Sequence, residues 1–103
     1  MSTLSLTGAQ RTFLRGKGQL LQPSIKVGHG GLSEAVLGEL DRHLVRAELV
    51  KVRFLDADRA QQAALCQEMN AKVPSAFLGS VGRTSLFYRP AADPSDRRIV
   101  LPE

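Results

Sequence analysis

Residues 24 to 33, Ser-Ile-Lys-Val-Gly-His-Gly-Gly-Leu-Ser, carry a short alternating strand into a glycine-rich turn that opens a helix. This commits the chain to a strand-turn-helix unit, and the turn is built to meet an anion. Gly28, Gly30 and Gly31 admit positive φ and lack a Cβ, so a phosphate backbone can come close to the peptide N–H groups. The helix that follows leaves its first N–H groups without intrahelical partners and carries a partial positive charge at that end. The turn also closes a stretch without acids. Residues 1 to 33 hold Arg11, Arg15, Lys17 and Lys26 and no Asp or Glu, whereas residues 34 to 103 hold ten basic and ten acidic residues. The formal net charge of +4 therefore resides on the first third of the chain.

A length of 103 residues with 43 % apolar content suits one compact domain that buries a modest core without metal or disulfide support. The single cysteine, Cys66, has no partner for an internal disulfide, and two isolated histidines give no zinc spacing, so no metal or cofactor is expected. Both facts suit a reducing cytosol. The N-terminus lacks the pattern of a targeting segment, and no run approaches the roughly 20 apolar residues of a membrane span, so a soluble, cytoplasmic, unprocessed chain is expected. A sequence pI near 9.8 makes a polyanionic partner plausible without requiring one.

Along the chain, residues 1 to 5 read as a flexible N-terminal tail. Thr7-Gly8-Ala9-Gln10 then matches a Thr-x-x-Gln capping box. The spacing predicts a first helix over residues 8 to 16, with Ala9 and Phe13 on the packing side and Arg11 and Arg15 on the opposite, solvated side. Gly16 and Gly18 are expected to stop it, and Pro23 to block its continuation. Ile25 and Val27 alternate around Lys26 as a first strand. A second helix over about 32 to 46 places Val36, Leu37, Leu40 and Leu44 on one stripe, with Ser33 as a cap. Residues 48 to 55 alternate as a second strand, with Val50, Val52 and Phe54 on one face and Leu49, Lys51 and Arg53 on the other. Asp56 or Asp58 caps a third helix running to about Ala71, whose Ala60, Ala63, Ala64, Leu65 and Met69 supply its packing face. Strands at about 76 to 81 and 84 to 89 form a hairpin through Gly82-Arg83. Beyond Pro90 a C-terminal extension, residues 91 to 103, is expected to be mostly loop, with Ile99 to Leu101 pairing along a sheet edge. The expectation is an α/β fold: a single small domain of order α-β-α-β-α-β-β, with a four-stranded mixed sheet spanning residues 6 to 90.

Several ordered signatures run through that span: the Gln-Arg-x-x-Leu-Arg run within Leu6 to Gly16, Pro23 before the strand, Gly28-His29-Gly30-Gly31-Leu32, Glu48-Leu49-Val50-Lys51-Val52, and Gly82-Arg83-Thr84 leading to Phe87-Tyr88-Arg89. In their order and spacing the chain resembles a YhbY-like CRM domain, the RNA-binding module named for chloroplast RNA splicing and ribosome maturation. The resemblance implies a fold similar to the C-terminal domain of translation initiation factor three, with the Gly-x-x-Gly loop playing a part like that loop in KH domains. For a free-standing bacterial copy, it also implies association with large-subunit precursors. Two places depart from the family's pattern. His29 stands where a lysine or small polar residue is common, and the segment from Asn70 to Val81, with Pro74 inside it, is longer than usual.

The candidate RNA-binding residues are therefore Gly28, His29, Gly30 and Gly31, with Lys26 two residues before the loop and Arg11, Arg15 and Lys17 on the first helix. Lys51, Arg53, Arg83 and Arg89 follow. Each has a plainer reading: the glycines as a tight turn, the helix cations as a solvated face or as complements to the helix dipole, and the strand cations as guards against edge pairing. His43 and Cys66 read as structural. The few aromatics fall on core faces, which speaks against an open stacking platform. No acid, base or nucleophile constellation and no Gly-Lys-Ser/Thr ending is present, so an enzyme is not expected. The rival reading is a protein interaction module whose Lys51 and Arg53 face docks an acidic partner.

Overall fold

The computed structural model describes residues 5–28 and 30–103, so all of the expected tail except Ser5, together with His29, lies outside the described residues. The order is α1 (Gly8–Gln19), β1 (Ile25–Val27), α2 (Glu34–Ala47), β2 (Leu49–Phe54), α3 (Arg59–Lys72), β3 (Ala76–Val81) and β4 (Thr84–Tyr88), followed by a 3-10 turn at Pro94–Asp96. The sheet order is β1-β2-β4-β3, with β1 parallel to β2 and β4 antiparallel to both its neighbours. This is the small mixed α/β domain expected. Strand β4 inserts between β2 and β3, so the α3 crossover does not join neighbouring strands.

The caps explain the helix starts. Thr7 and Gln10 form a reciprocal capping box on α1, Asp58 and Gln61 form a second on α3, and the Ser33 hydroxyl accepts from the Val36 N–H on α2. The sheet divides the core in two. On one face Val50, Val52, Phe54, Ile25, Val27 and Phe87 pack against Leu40 and Leu44 of α2 and Cys66 and Met69 of α3. On the other, Leu49, Leu78, Leu86 and Tyr88 pack against Leu14 of α1, with Leu6, Ile99 and Leu101 beside them.

Three sequence expectations are corrected here. Helix α1 runs through Gly16 and Gly18 to Gln19, and its buried residues are Leu14 and Gly18, whereas Ala9 and Phe13 lie outward. Gly18 is required by contact: a Cβ there would lie 2.5 Å from Leu86 Cδ2, so the absent side chain lets the helix sit on the sheet. The α3 packing face is Gln62, Cys66 and Met69, with Ala60, Ala63 and Ala64 exposed. A polar residue occupies this face because Ser85 lies beneath it. The Gln62 Nε2 donates to Ser85 Oγ at 3.0 Å, the Cys66 thiol donates to the same oxygen at 3.1 Å, and Ser80 Oγ lies 2.7 Å from it. Burial pushes the Cys66 thiol pKa up, against the smaller lowering effect of these hydroxyls. Finally, Ile99 to Leu101 form no strand and instead pack on the α1 side of the sheet.

What holds that C-terminal segment is Glu48, a residue the sequence reading gave no role of its own. It caps α2 with φ 67°, a left-handed conformation rare outside glycine, and is 1 % exposed. Its Oε2 accepts from the Ala91 N–H at 2.7 Å, and its Oε1 from the N–H groups of Arg98 and Ile99 at 2.8 and 2.9 Å. Burial raises the carboxyl pKa, but the three backbone donors and the nearby Arg97 charge outweigh it, so the net shift is downward. A lowered carboxyl contributes stability that is full above its unfolded pKa of about 4.3 and is lost as pH falls through the folded value.

Glu48→Gln should destabilise the domain at neutral pH by about 1.5–3 kcal/mol, and stability below about pH 5 should fall less steeply in the variant than in the parent. Urea unfolding across that pH range measures both, and parallel acid profiles would refute the linkage. Gly16→Ala, where nothing lies within 4 Å of the new Cβ, should stabilise α1 by about 0.5–1 kcal/mol, whereas Gly18→Leu should cost about 1–3 kcal/mol by overpacking Leu86.

Candidate nucleic-acid interface

The register of β1 on β2 sets Lys26 directly beside Arg53. Their sequence neighbours Ile25, Val27, Val52 and Phe54 are buried on the opposite face, so both cations point to the side that carries α1. The next pairs continue the row: Arg53 stands against Thr84, and Thr84 against Val81. One step along β2, Lys51 faces the same way, its Nζ donating to the Leu21 carbonyl at 3.1 Å. Thr84 and Val81 were missed by sequence reasoning, since their place depends on β4 lying between β2 and β3, which no local pattern announces.

The glycine turn sits at the end of this row. The Leu55 N–H donates to the Val27 carbonyl at 2.9 Å and the Phe54 N–H to the Arg83 carbonyl at 2.8 Å, which brings the turn, residues 55–58 and the β3-β4 hairpin to one end of the sheet. Gly28 and Gly30 are exposed, and nothing lies within 4 Å of a Cβ built on Gly28, Gly30 or Gly31. Of the three, Gly31 alone has positive φ, at 72°, and its N–H donates to the Gly28 carbonyl at 3.1 Å. The expected cradle of three outward amides is thus reduced, because the turn uses one of them to close itself. The start of α2 is also less anionophilic than expected: Ser33 takes the Val36 N–H, and Glu34 puts a carboxylate in the first turn. On the α3 side of the loop, a cleft of about 310 Å³ is lined by Asp56 and Glu68 as well as the glycines. The loop therefore has an acidic flank and, across the sheet, a basic one.

The remaining candidate cations divide by position. The Arg11 Nη2 donates to the Phe77 carbonyl at 2.9 Å and the Arg15 Nε to the Leu78 carbonyl at 2.8 Å, so the side of α1 expected to be solvated fastens the helix to β3. The Lys17 Nζ lies 5.5 Å from the centre of the Phe13 ring, in the last turn of α1, where it also complements the helix dipole. Arg83 stays at the loop end, donating to the Ala57 carbonyl at 3.2 Å. Arg89 stands at the opposite end, paired to the Asp41 carboxylate at 2.9 Å and donating to the Pro74 carbonyl at 3.1 Å. It joins α2 to the turn before β3.

This architecture has clear relatives. The CRS1/YhbY (CRM) domain pattern matches residues 6–89. A Pseudomonas aeruginosa protein named a probable RNA-binding protein is 36 % identical over 92 residues, covering 89 % of this chain and 88 % of its own. A Haemophilus influenzae protein named an RNA-binding protein is 32 % identical over 102 residues, covering 99 % and 98 %. The solution structure of a Staphylococcus aureus hypothetical protein, described as a candidate RNA binder, superposes with a TM-score of 0.80 at 26 % identity, covering 95 % of this chain and all of that one. With the pattern spanning both halves of the core and the whole basic face, the chain belongs to the CRS1/YhbY (CRM) domain family.

Proposed function

We propose that this protein binds RNA through the basic side of its sheet and the adjoining Gly28–Gly31 loop. The observation that carries the reading is the pairing of Lys26 with Arg53 on neighbouring strands, in a row that ends at an exposed turn able to let a phosphate chain approach closely. Lys51, Lys17 and Arg83 extend the charge around it, and His29 lies between Gly28 and Gly30 in sequence. Arg11, Arg15 and Arg89 serve this surface by holding its elements in place. The relatives named as RNA-binding support the same reading. The narrower reading, a cytoplasmic binding protein rather than an enzyme, acting on ribosomal RNA in precursors of the large subunit, is what the resemblance to a free-standing CRM-like chain implies, and we propose it on that ground. Among the described residues no helix is long and apolar enough to cross a membrane.

If about four to six phosphates are contacted, affinity should fall with salt at a log-log slope of about −3 to −5. Lys26→Ala and Arg53→Ala should each weaken binding across sequences and reduce the slope by about 1. Gly30→Asp should abolish binding while leaving the fold intact, since its Cβ meets nothing and its φ is ordinary. Arg89→Ala should instead lower the melting temperature and leave the affinity of folded protein unchanged. Filter binding to large-subunit precursor RNA, with circular dichroism on each variant, checks these outcomes. A flat salt response, or retention of a protein partner after nuclease and high salt, would sink the reading.

A further inference from the structure

One groove bears on whether the protein holds a duplex or an unpaired strand. Between the last turn of α1 and the sheet lies a cavity of about 490 Å³, inside the range of about 300–1,000 Å³ typical of small-ligand sites. Its apolar lining is Leu78, Leu86 and Val81; the two leucines are almost fully covered, with Gly18 opposite Leu86, so Val81 supplies the accessible apolar surface. Polar groups stand around that surface: Arg15, Gln19, Lys51 and Thr84. At the β3 end Val81 is 81 % exposed, an apolar side chain held at the surface beside the cationic row.

Charge separates this groove from the other clefts. The cleft beside the glycine loop carries Asp56 and Glu68, and the one between α3 and the β3-β4 hairpin carries Asp58. Here no carboxylate among the described residues lines the cavity, and Lys51 is the point where the groove meets the Arg53–Lys26 row. An occupant must therefore have an apolar, flat part for the surface at Val81, hydrogen-bonding edges for a carboxamide and a hydroxyl, and negative charge leading away along the strands. A paired base offers none of its faces to a protein, whereas an unstacked base in a loop or single strand offers all three properties together.

Resting on the reading that the protein binds RNA, we propose that the groove between α1 and the sheet receives one unpaired nucleobase, whose neighbouring phosphates lie on Lys51, Arg53 and Lys26. Gln19 is then a base-contacting residue, and the protein prefers single-stranded or looped RNA over duplex.

The test compares three probes of equal charge on the full chain: oligouridine of about eight nucleotides, an abasic ribose-phosphate chain of the same length, and a duplex with the same phosphate count. Oligouridine should bind about 5- to 100-fold more tightly than the abasic chain, with the same salt slope for both, and more tightly than the duplex. With 4-thiouridine in the oligomer, photocrosslinks should map to Gln19 or to residues 78–86. Equal affinity for the abasic chain, or crosslinks confined to other residues, would overturn the groove assignment while leaving RNA binding standing. Failure of all three probes to bind at low salt would instead bring down the RNA reading itself.

Discussion

The placement of every element follows from having to bury the central strands β2 and β4 on both sides with unequal means. Two amphipathic helices, α2 and α3, cover one face completely. Among the described residues, the other face has α1 with Leu6 before it and the C-terminal segment, and α1 has to end over the middle of the sheet. Gly18 touches Leu86 there, and by Ser24 the chain is already donating to the Lys51 carbonyl to begin β1. Helix α1 and the C-terminal segment bury Leu49 and Tyr88, while Lys26, Arg53 and Thr84 lie on the less covered part of the same face. Cations can be carried on these strands because that part of the face remains solvated.

This asymmetry also sorts the charges of the first third of the chain. Two of its four cations, Arg11 and Arg15, are used to hold α1 against β3, and Lys26 points into the open area. Three acids of the later two thirds, Glu34, Asp56 and Glu68, border the glycine turn on the α2 and α3 side. A polyanion following the surface is thus attracted from one side of the loop and repelled from the other.

Much of this was legible in the sequence, and the parts that were not share a cause. The alternation of residues 49–54 announced β2 and its two faces, and the stripe of Leu40 and Leu44 announced α2, because in both a single periodicity matches a single buried side. The faces of α1 and α3 were misread because close packing there uses Gly18, Gln62 and Cys66, residues chosen to fit Leu86 and Ser85 rather than to be apolar. Complementarity of that kind resides in the partner, not in the segment. The roles of Arg11 and Arg15 were hidden for the same reason, since no acidic neighbour marks an arginine whose acceptors are carbonyls of a distant strand. The C-terminal segment has no period at all, being held by backbone donors that meet a carboxylate fifty positions upstream.

That carboxylate also decides where the folded unit stops. The match to the family ends at residue 89, yet Ile99 and Leu101 close the lower core and the Pro102 carbonyl accepts from Gln10 Nε2 at the start of α1. A fragment cut at the limit of the recognisable pattern would strand the negative charge of Glu48 in a site emptied of its donors and uncover Tyr88 and Leu49 to water. The packed core therefore extends past the family pattern, its last stretch acting as a clasp on the core.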